Sequence, residues 1–474
     1  MSSTVQAERE LGNNQRGLVD NIIDENQYEA AISTLFQLRS PQHKPYPAHI
    51  QQLIFLGLHP SIPTPEKAPG TIHETPRRAR QTRVQFPITP KAVTSALDLL
   101  TSLIATNSPE SIGRALPSYS TQEHNHASDD QTDSLLAKQA LCIKTAKHCW
   151  EFLEEGYIHS TQVITSPQAK SKLRRDSSFE EALGPNAVTG EAQLVGPDAW
   201  PILSWLVSLF ERDEELNERN DSSRYSRILL EQLPPPRGGK SGTRWDFSDI
   251  LNIVVHCFDQ TDVRKKDLGY RLMALLVNLT NSNNVELETL VTSVYKRLMA
   301  AGRPDFFDLL LSNIPVSESV WRFKACLCLK VATDGISSKN DSARLRPRPQ
   351  PRAPPRARPI APDSPRKHVK PRDEVPKIAL PDVMTIVECL ESPIPDALPE
   401  PLNKALVLHT KFELVLSFAS AQKSNLAVES RLEWDRLIQD GQLSKSLNIG
   451  FGPDSGETGS LYLGLLREYL RLGS

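Results

Sequence analysis

Cysteine, aromatic residues and apolar bulk are all scarce in this chain. Six of its 474 residues are cysteine, 6% are aromatic and 39% are hydrophobic, the last below the roughly 45–50% of ordinary globular chains. The cysteines (Cys142, Cys149, Cys257, Cys326, Cys328 and Cys389) are scattered and form no CxxC pair, which excludes a disulfide framework and points to buried free thiols in a reducing compartment. The longest apolar runs, such as Leu272 to Val277, fall far short of the ~20 residues that cross a bilayer. Met1 to Glu10 is polar and lacks an apolar signal core. The expectation is a soluble, intracellular protein. Net charge is also near zero, at -2 from 55 basic and 57 acidic residues, so no global field draws the chain to nucleic acid or membrane.

Proline is plentiful instead. The chain has 37 prolines against 22 glycines, and they cluster, so the text alternates between helical stretches and segments that cannot bury enough apolar surface to order themselves. This alternation fits a globular protein with disordered segments better than one compact enzyme. It predicts a helical hairpin over 1–58 and a disordered basic loop over 59–90. A helical body over 91–332 follows, with loops at 107–131, 165–197 and 234–244, then an Arg/Pro-rich linker over 333–377 and a helical segment over 378–474. Helix-like spacings mark Leu18 to Leu38, Ile50 to Leu58, Val93 to Ile104 and a long helix over Thr132 to Glu155. Ile202 to Phe210 gives another helix, with a charged exit over Glu211 to Asp221. Five apolar stripes with short joints fill Trp245 to Val331, with Asp246 at a predicted N-cap. Four closing helices are expected at Ile378–Leu390, Leu402–Phe418, Leu426–Leu437 and Leu461–Leu472. Val84, Phe86 and Ile88 alternate, but Pro87 argues against a strand. The predicted fold class is all-α, an irregular α-solenoid built from helical hairpins.

Tyr270-Arg271-Leu272-Met273-Ala274-Leu275-Leu276-Val277-Asn278-Leu279-Thr280, followed by Asn281 to Asn284, resembles the last helix of an armadillo repeat. The resemblance implies a helical solenoid of armadillo or HEAT type. It makes Asn278 the counterpart of the groove asparagine that grips a partner's extended backbone. Helix termination is the competing reading of Asn278, and the weightier one, because asparagine tolerates the left-handed conformation.

Sites of chemistry are mostly absent. Gly238-Gly239-Lys240-Ser241 lacks the P-loop's first glycine, whose position holds Pro234, and no strand precedes it. Cys326 and Cys328 point to different helix faces. Cys142 and Cys149 share one, with His148 beside the second, yet no further zinc-like pair follows. His124 and His126 have no partners at useful spacing. Glu154-Glu155 and Glu214-Glu215 read as solvated surface at helix exits. No GxSxG, HExxH or dinucleotide fingerprint occurs. No cofactor, no metal and no catalysis are expected; a structure that buried His148, His256 or an acidic pair together in a cleft would revive an enzyme.

The Arg344–Arg372 segment is the most informative feature, with ten Lys or Arg, nine prolines and one acid, Asp363. Its charge of 10 − 1 = +9 leaves about -11 for the rest of the chain. Arg346, Arg348, Arg352, Arg356, Arg358, Arg366 and Lys367, together with Arg77, Arg78 and Arg80 in the earlier basic loop, are candidates for nuclear import or sequence-independent phosphate contact; a plain soluble spacer is the third reading. No aromatic residue is interleaved for base stacking. Thr75 and Ser364 each precede a proline with a basic residue beyond it, and Ser177 follows Arg174-Arg175. All three are candidate phosphorylation sites, where added negative charge would oppose the arginines. The combined expectation is a nuclear scaffold or adaptor that binds protein partners in a chromosome-related complex (repair, recombination, segregation or chromatin). A cytoplasmic scaffold in trafficking or cytokinesis is the alternative.

Overall fold

The computed structural model describes residues 8–59, 88–119, 134–158, 193–220, 223–235, 245–282, 284–337, 380–395, 398, 400–423, 428–452 and 455–471. These residues are mostly helical, in eighteen helices, and the fold is all-α. The strand content among them is one parallel pairing of two residues each, β1 (Arg9–Glu10) with β2 (His43–Lys44). The helices divide into two compact units, Met1–Val285 with Asn313–Pro315, and Glu286–Ser312 with Val316–Ser474.

In the first unit α1 (Asn13–Asp24) and α2 (Tyr28–Leu38) pair, α3 (Pro47–Gly57) and α2 both pack on α4 (Pro90–Thr106), and α4 packs on α7 (Trp200–Arg219). That helix in turn meets α10 (Val263–Asn278), which pairs with α9 (Ser248–Phe258). Local chemistry starts these helices. Thr89 accepts a hydrogen bond from the Ala92 amide ahead of Pro90, and Asp262 from the Arg264 amide, so each side chain satisfies an orphan amide of the first turn. Asp246 accepts from both the amide and the hydroxyl of Ser248, which starts α9 one residue after the predicted cap. Close approach of α9 and α10 needs Gly269, where a Cβ would stand 2.8 Å from the Cys257 Cβ and 2.9 Å from Phe258.

Three details of the first unit differ from the sequence expectation. The loop expected over 107–131 contains α5 (Pro109–Gly113), begun by Ser108, whose hydroxyl accepts from the Ser111 amide. The charged stretch after Phe210 continues as helix to Arg219, because Glu211 pairs with Arg271 and Arg212 with Glu215. The long helix expected over Thr132 to Glu155 is instead α6 (Leu135–Thr145), a turn, and a short 3-10 segment at Glu151–Leu153. Ala146 is extended there, and the Cys149 amide bonds Gln232 Oε1 at 2.9 Å. Gln232 lies 83 residues away, so this tertiary bond overrides the local periodicity. A further short helix, α8 (Arg227–Glu231), packs on α7.

The second unit contains α11 (Leu287–Ala301), α12 (Asp305–Asn313), α13 (Glu318–Ser337), α14 (Val383–Glu391), α15 (Lys404–Lys423), α16 (Val428–Gln439), α17 (Gln442–Gly450) and α18 (Gly456–Arg471). Its most extensive helix contact joins α13 to α15. The helices on the two sides of the Arg/Pro-rich segment therefore share one core, and the division of the chain falls at Val285/Glu286 rather than at that segment. Phe323, Leu327, Val331, Leu414, Val415 and Phe418 are all completely buried. Among the described residues five helices close the chain instead of four, α17 being the addition; it packs on α14, its Leu443 and Leu447 are buried, and the α14 carbonyl of Leu390 comes within 2.7 Å of where a Cβ on Gly450 would be.

Candidate functional site: a carboxylate-rimmed cavity

One cavity of the first unit, about 250 Å³, lies below the 3-10 turn that replaced the expected helix. Two segments frame it. Glu155 donates its amide to the Gln193 carbonyl at 3.0 Å, and Gly196 donates to the Leu153 carbonyl at 2.8 Å, so 153–155 and 193–196 run together like a short ribbon. Gly156, at φ +77, turns the chain sharply after the two glutamates. Tyr157 then anchors the far side by donating its hydroxyl to the Cys142 carbonyl at 2.9 Å. The floor is apolar: Leu58, Phe152, Leu153, Ile158 and Ala199 are all buried. The polar walls are Glu154, Glu155 and Asp198.

Glu154 and Glu155 are exposed and Asp198 is half-buried. Glu155 accepts the Gln193 amide at 3.1 Å; among the described residues neither the Glu154 nor the Asp198 carboxylate is in an ion pair, though Lys147 acts on Glu154 from further off. Burial pushes the Glu154 carboxyl up, and Glu151 and Asp249 add to the effect against Lys147. Nearby, Tyr119 is pushed up to about 12 by burial and by Asp249, Asp246 and Glu151. Negative charge therefore prevails in this part of the unit. Glu154-Glu155 are exposed, as expected of surface acids, but a turn absent from the sequence expectation sets them beside Asp198, about forty residues on; the expectation of solvated surface fails instead at Glu214-Glu215, where Glu214 is 3% exposed because it bonds Asn278 and Arg224. The acid–acid–glycine run is the one local signal of that turn.

His148 is 8% exposed, with Nε2 3.4 Å from Asp249 Oδ2 and its ring 5.8 Å from that of Tyr119. Burial holds the imidazole below its ordinary value. It does not line the cavity, and His256 stacks instead on Trp200. Among the described residues no group of three or more His, Cys, Asp or Glu could hold a metal ion.

Asn278, at the end of α10, is 3% exposed and donates Nδ2 to Glu214 Oε1 at 2.8 Å. Glu214 also takes Arg224 Nε at 2.5 Å, while Asp213 Oδ2 accepts from the Ser226 hydroxyl and the Ile228 amide. The Asn278 amide is thus directed into a network that ties α7, the 223–226 loop and α10 together. Five of the six cysteines are buried and all are free. Burial drives the thiols of Cys149 and Cys328 well up, and that of Cys257 to about 12, so these three are not poised nucleophiles. Thr75, Ser177 and Ser364, and every basic candidate from Arg77 to Lys367, lie outside the described residues. No described helix is long and apolar enough to cross a membrane.

The chain matches no protein-family model, no curated protein and no solved structure.

Proposed function

We propose that this chain is a helical scaffold that binds protein partners, with its helices stacked in the one-dimensional manner of a solenoid. What supports this reading is the succession of helix contacts in the first unit, in which α2 and α3 pack on α4, α4 on α7, α7 on α10 and α10 on α9, with α1, α5, α6 and α8 packed alongside. The use of buried polar groups supports it: Gln51, Asp213, Glu214, Gln232 and Asn278 are spent on backbone or on one another, which leaves surfaces to do the work. We assign the scaffold to the nucleus, in a chromosome-related complex, on the +9 charge of Arg344–Arg372 and the proline-directed Thr75 and Ser364; the segment's roles are import and weak phosphate contact. Two experiments test this. Imaging a tagged chain lacking Arg344–Arg372 should show loss of nuclear accumulation, and an unchanged distribution would remove the import role. Purifying the tagged chain and identifying co-purifying proteins should return a reproducible set of chromosome-associated partners; a set drawn from vesicle traffic or the division furrow would move the scaffold to the cytoplasm.

A further inference from the structure

We infer that the first unit has a built site for one ordered water molecule, which bridges His49 Nδ1 and Gln52 Oε1 in a small cavity between α2 and α3. The inference stands apart from the scaffold reading. His49 and Gln52 lie three positions apart on α3, and so on one face of it, and both line this cavity. The two residues are 2% and 3% exposed, yet Nδ1 and Oε1 are buried without a hydrogen-bond partner. A buried polar atom left unpaired bears the full loss of its hydration, so such orphans point to a guest. The supply of hydrogens decides which guest. His49 Nε2 lies 3.0 Å from Asp20 Oδ1, and a carboxylate only accepts, so the ring proton sits on Nε2 and Nδ1 is an acceptor. Gln52 Oε1 is an acceptor too. Two acceptors cannot bond each other; they need a small molecule between them that donates twice. Tyr28, which also lines the cavity, spends its hydroxyl hydrogen on Asn26 Oδ1 at 3.0 Å and offers none. Water donates twice and is neutral, whereas an ammonium ion would carry its charge into a lining that is otherwise apolar, with Ile23, Ile32, Leu56 and Leu136. The room for the guest's centre is about 10 Å³, which is about what one water requires and no more. Held there, the water fixes the His49 ring and with it the Asp20 contact that joins α1 to α3.

The test is a high-resolution crystal structure of the full chain, beside oxygen-17 relaxation dispersion in solution, which counts waters held long enough to tumble with the protein. The crystal should show one water within about 3 Å of both His49 Nδ1 and Gln52 Oε1, a readout that needs no variant to fold. A dry cavity, a water on only one of the two atoms, or a Gln52 amide turned so that its nitrogen donates to Nδ1 directly would each overturn the proposal. In solution, Gln52→Leu removes one acceptor and fills the space, so the count of long-lived waters should fall by one from that of the unmutated chain. Gln439→Leu makes the same change at an exposed position of α16 and should leave the count where it was. An unchanged count in Gln52→Leu, or equal losses in the two variants, would likewise overturn it.

Discussion

The two units solve the same problem, polar groups inside a helical core, with different side chains. The first uses amides and carboxylates. Gln232 joins the Cys149 amide to the Pro117 carbonyl, Gln51 donates to the Ala115 carbonyl, and Glu214 gathers Asn278 and Arg224. The second buries lysines. Lys411, 1% exposed, donates to the carbonyls of Leu390 and Ser392 at the end of α14, and Lys324 donates to the Leu311 carbonyl and lies 3.6 Å from Glu413. An amide that bridges two backbone groups is neutral and easily kept dry. A buried ammonium carries a desolvation cost, visible in the downward push that burial gives Lys411, and is retained only where it satisfies carbonyls that nothing else reaches.

The comparison can be broken by substitution. Lys411→Met should cost the second unit about 3 kcal/mol, because two carbonyls lose their charged donor. Hydrogen exchange read unit by unit should show the loss in α14 and α15 with the first unit unchanged; a neutral result would mean that the methionine's packing replaces the bonds. Gln232→Ala should cost the first unit about 2 kcal/mol in denaturant unfolding, since it orphans the Cys149 amide and the Pro117 carbonyl together.

Alkaline titration sharpens the contrast. Cys149 and Cys257 in the first unit have thiols raised above 9.0, Cys257 to about 12. Folded thiols that stay protonated while the unfolded chain ionises contribute stability that is complete below about pH 9 and lost as pH rises toward the folded value, at about 1.4 kcal/mol per pH unit for each. Cys326, Cys328 and Cys389 do the same in the second unit. Lys411 has the opposite sign: its folded value lies below 10.5, so the unfolded chain holds more protons in that window and stability rises with pH. Lys411 therefore offsets part of the second unit's loss, so Lys411→Met should steepen that unit's fall in stability between pH 9 and 10.5, and Cys257→Ala should flatten the first unit's slope. An unchanged slope in either variant would contradict the assignment of these groups. The smallest effect is expected for Glu214→Gln, less than about 1 kcal/mol, because the amide keeps Asn278 while shedding a buried charge that burial already disfavours.

The helices were legible wherever a stripe ran between short joints. Phe247 to Phe258, Leu272 to Leu279, Val285 to Leu298, Phe306 to Leu311 and Val320 to Val331 each fall on one observed helix or its immediate ends, with Gly302 in the left-handed conformation closing α11. The failures have tertiary causes. Nothing local in Leu135 to Leu153 announces that Gln232 will claim the Cys149 amide. The site was less legible than the fold, since Glu154 and Asp198 become neighbours only through that broken helix. Lys411 did leave a trace: in Leu406 to Phe418 apolar residues occupy every side of the helix, which leaves Thr410, Lys411 and Glu413 no solvent face. For Asn278, the armadillo-like run places the residue correctly at a helix end, but the side chain meets Glu214 inside the unit.

The scaffold reading is tested most directly by the mass of the assembly in which the chain is isolated from its own cells under gentle conditions. The account predicts a discrete complex of defined stoichiometry, heavier than the 52.9 kDa chain, with other proteins as its remaining mass. Quantitative recovery of the chain alone at 52.9 kDa would contradict it.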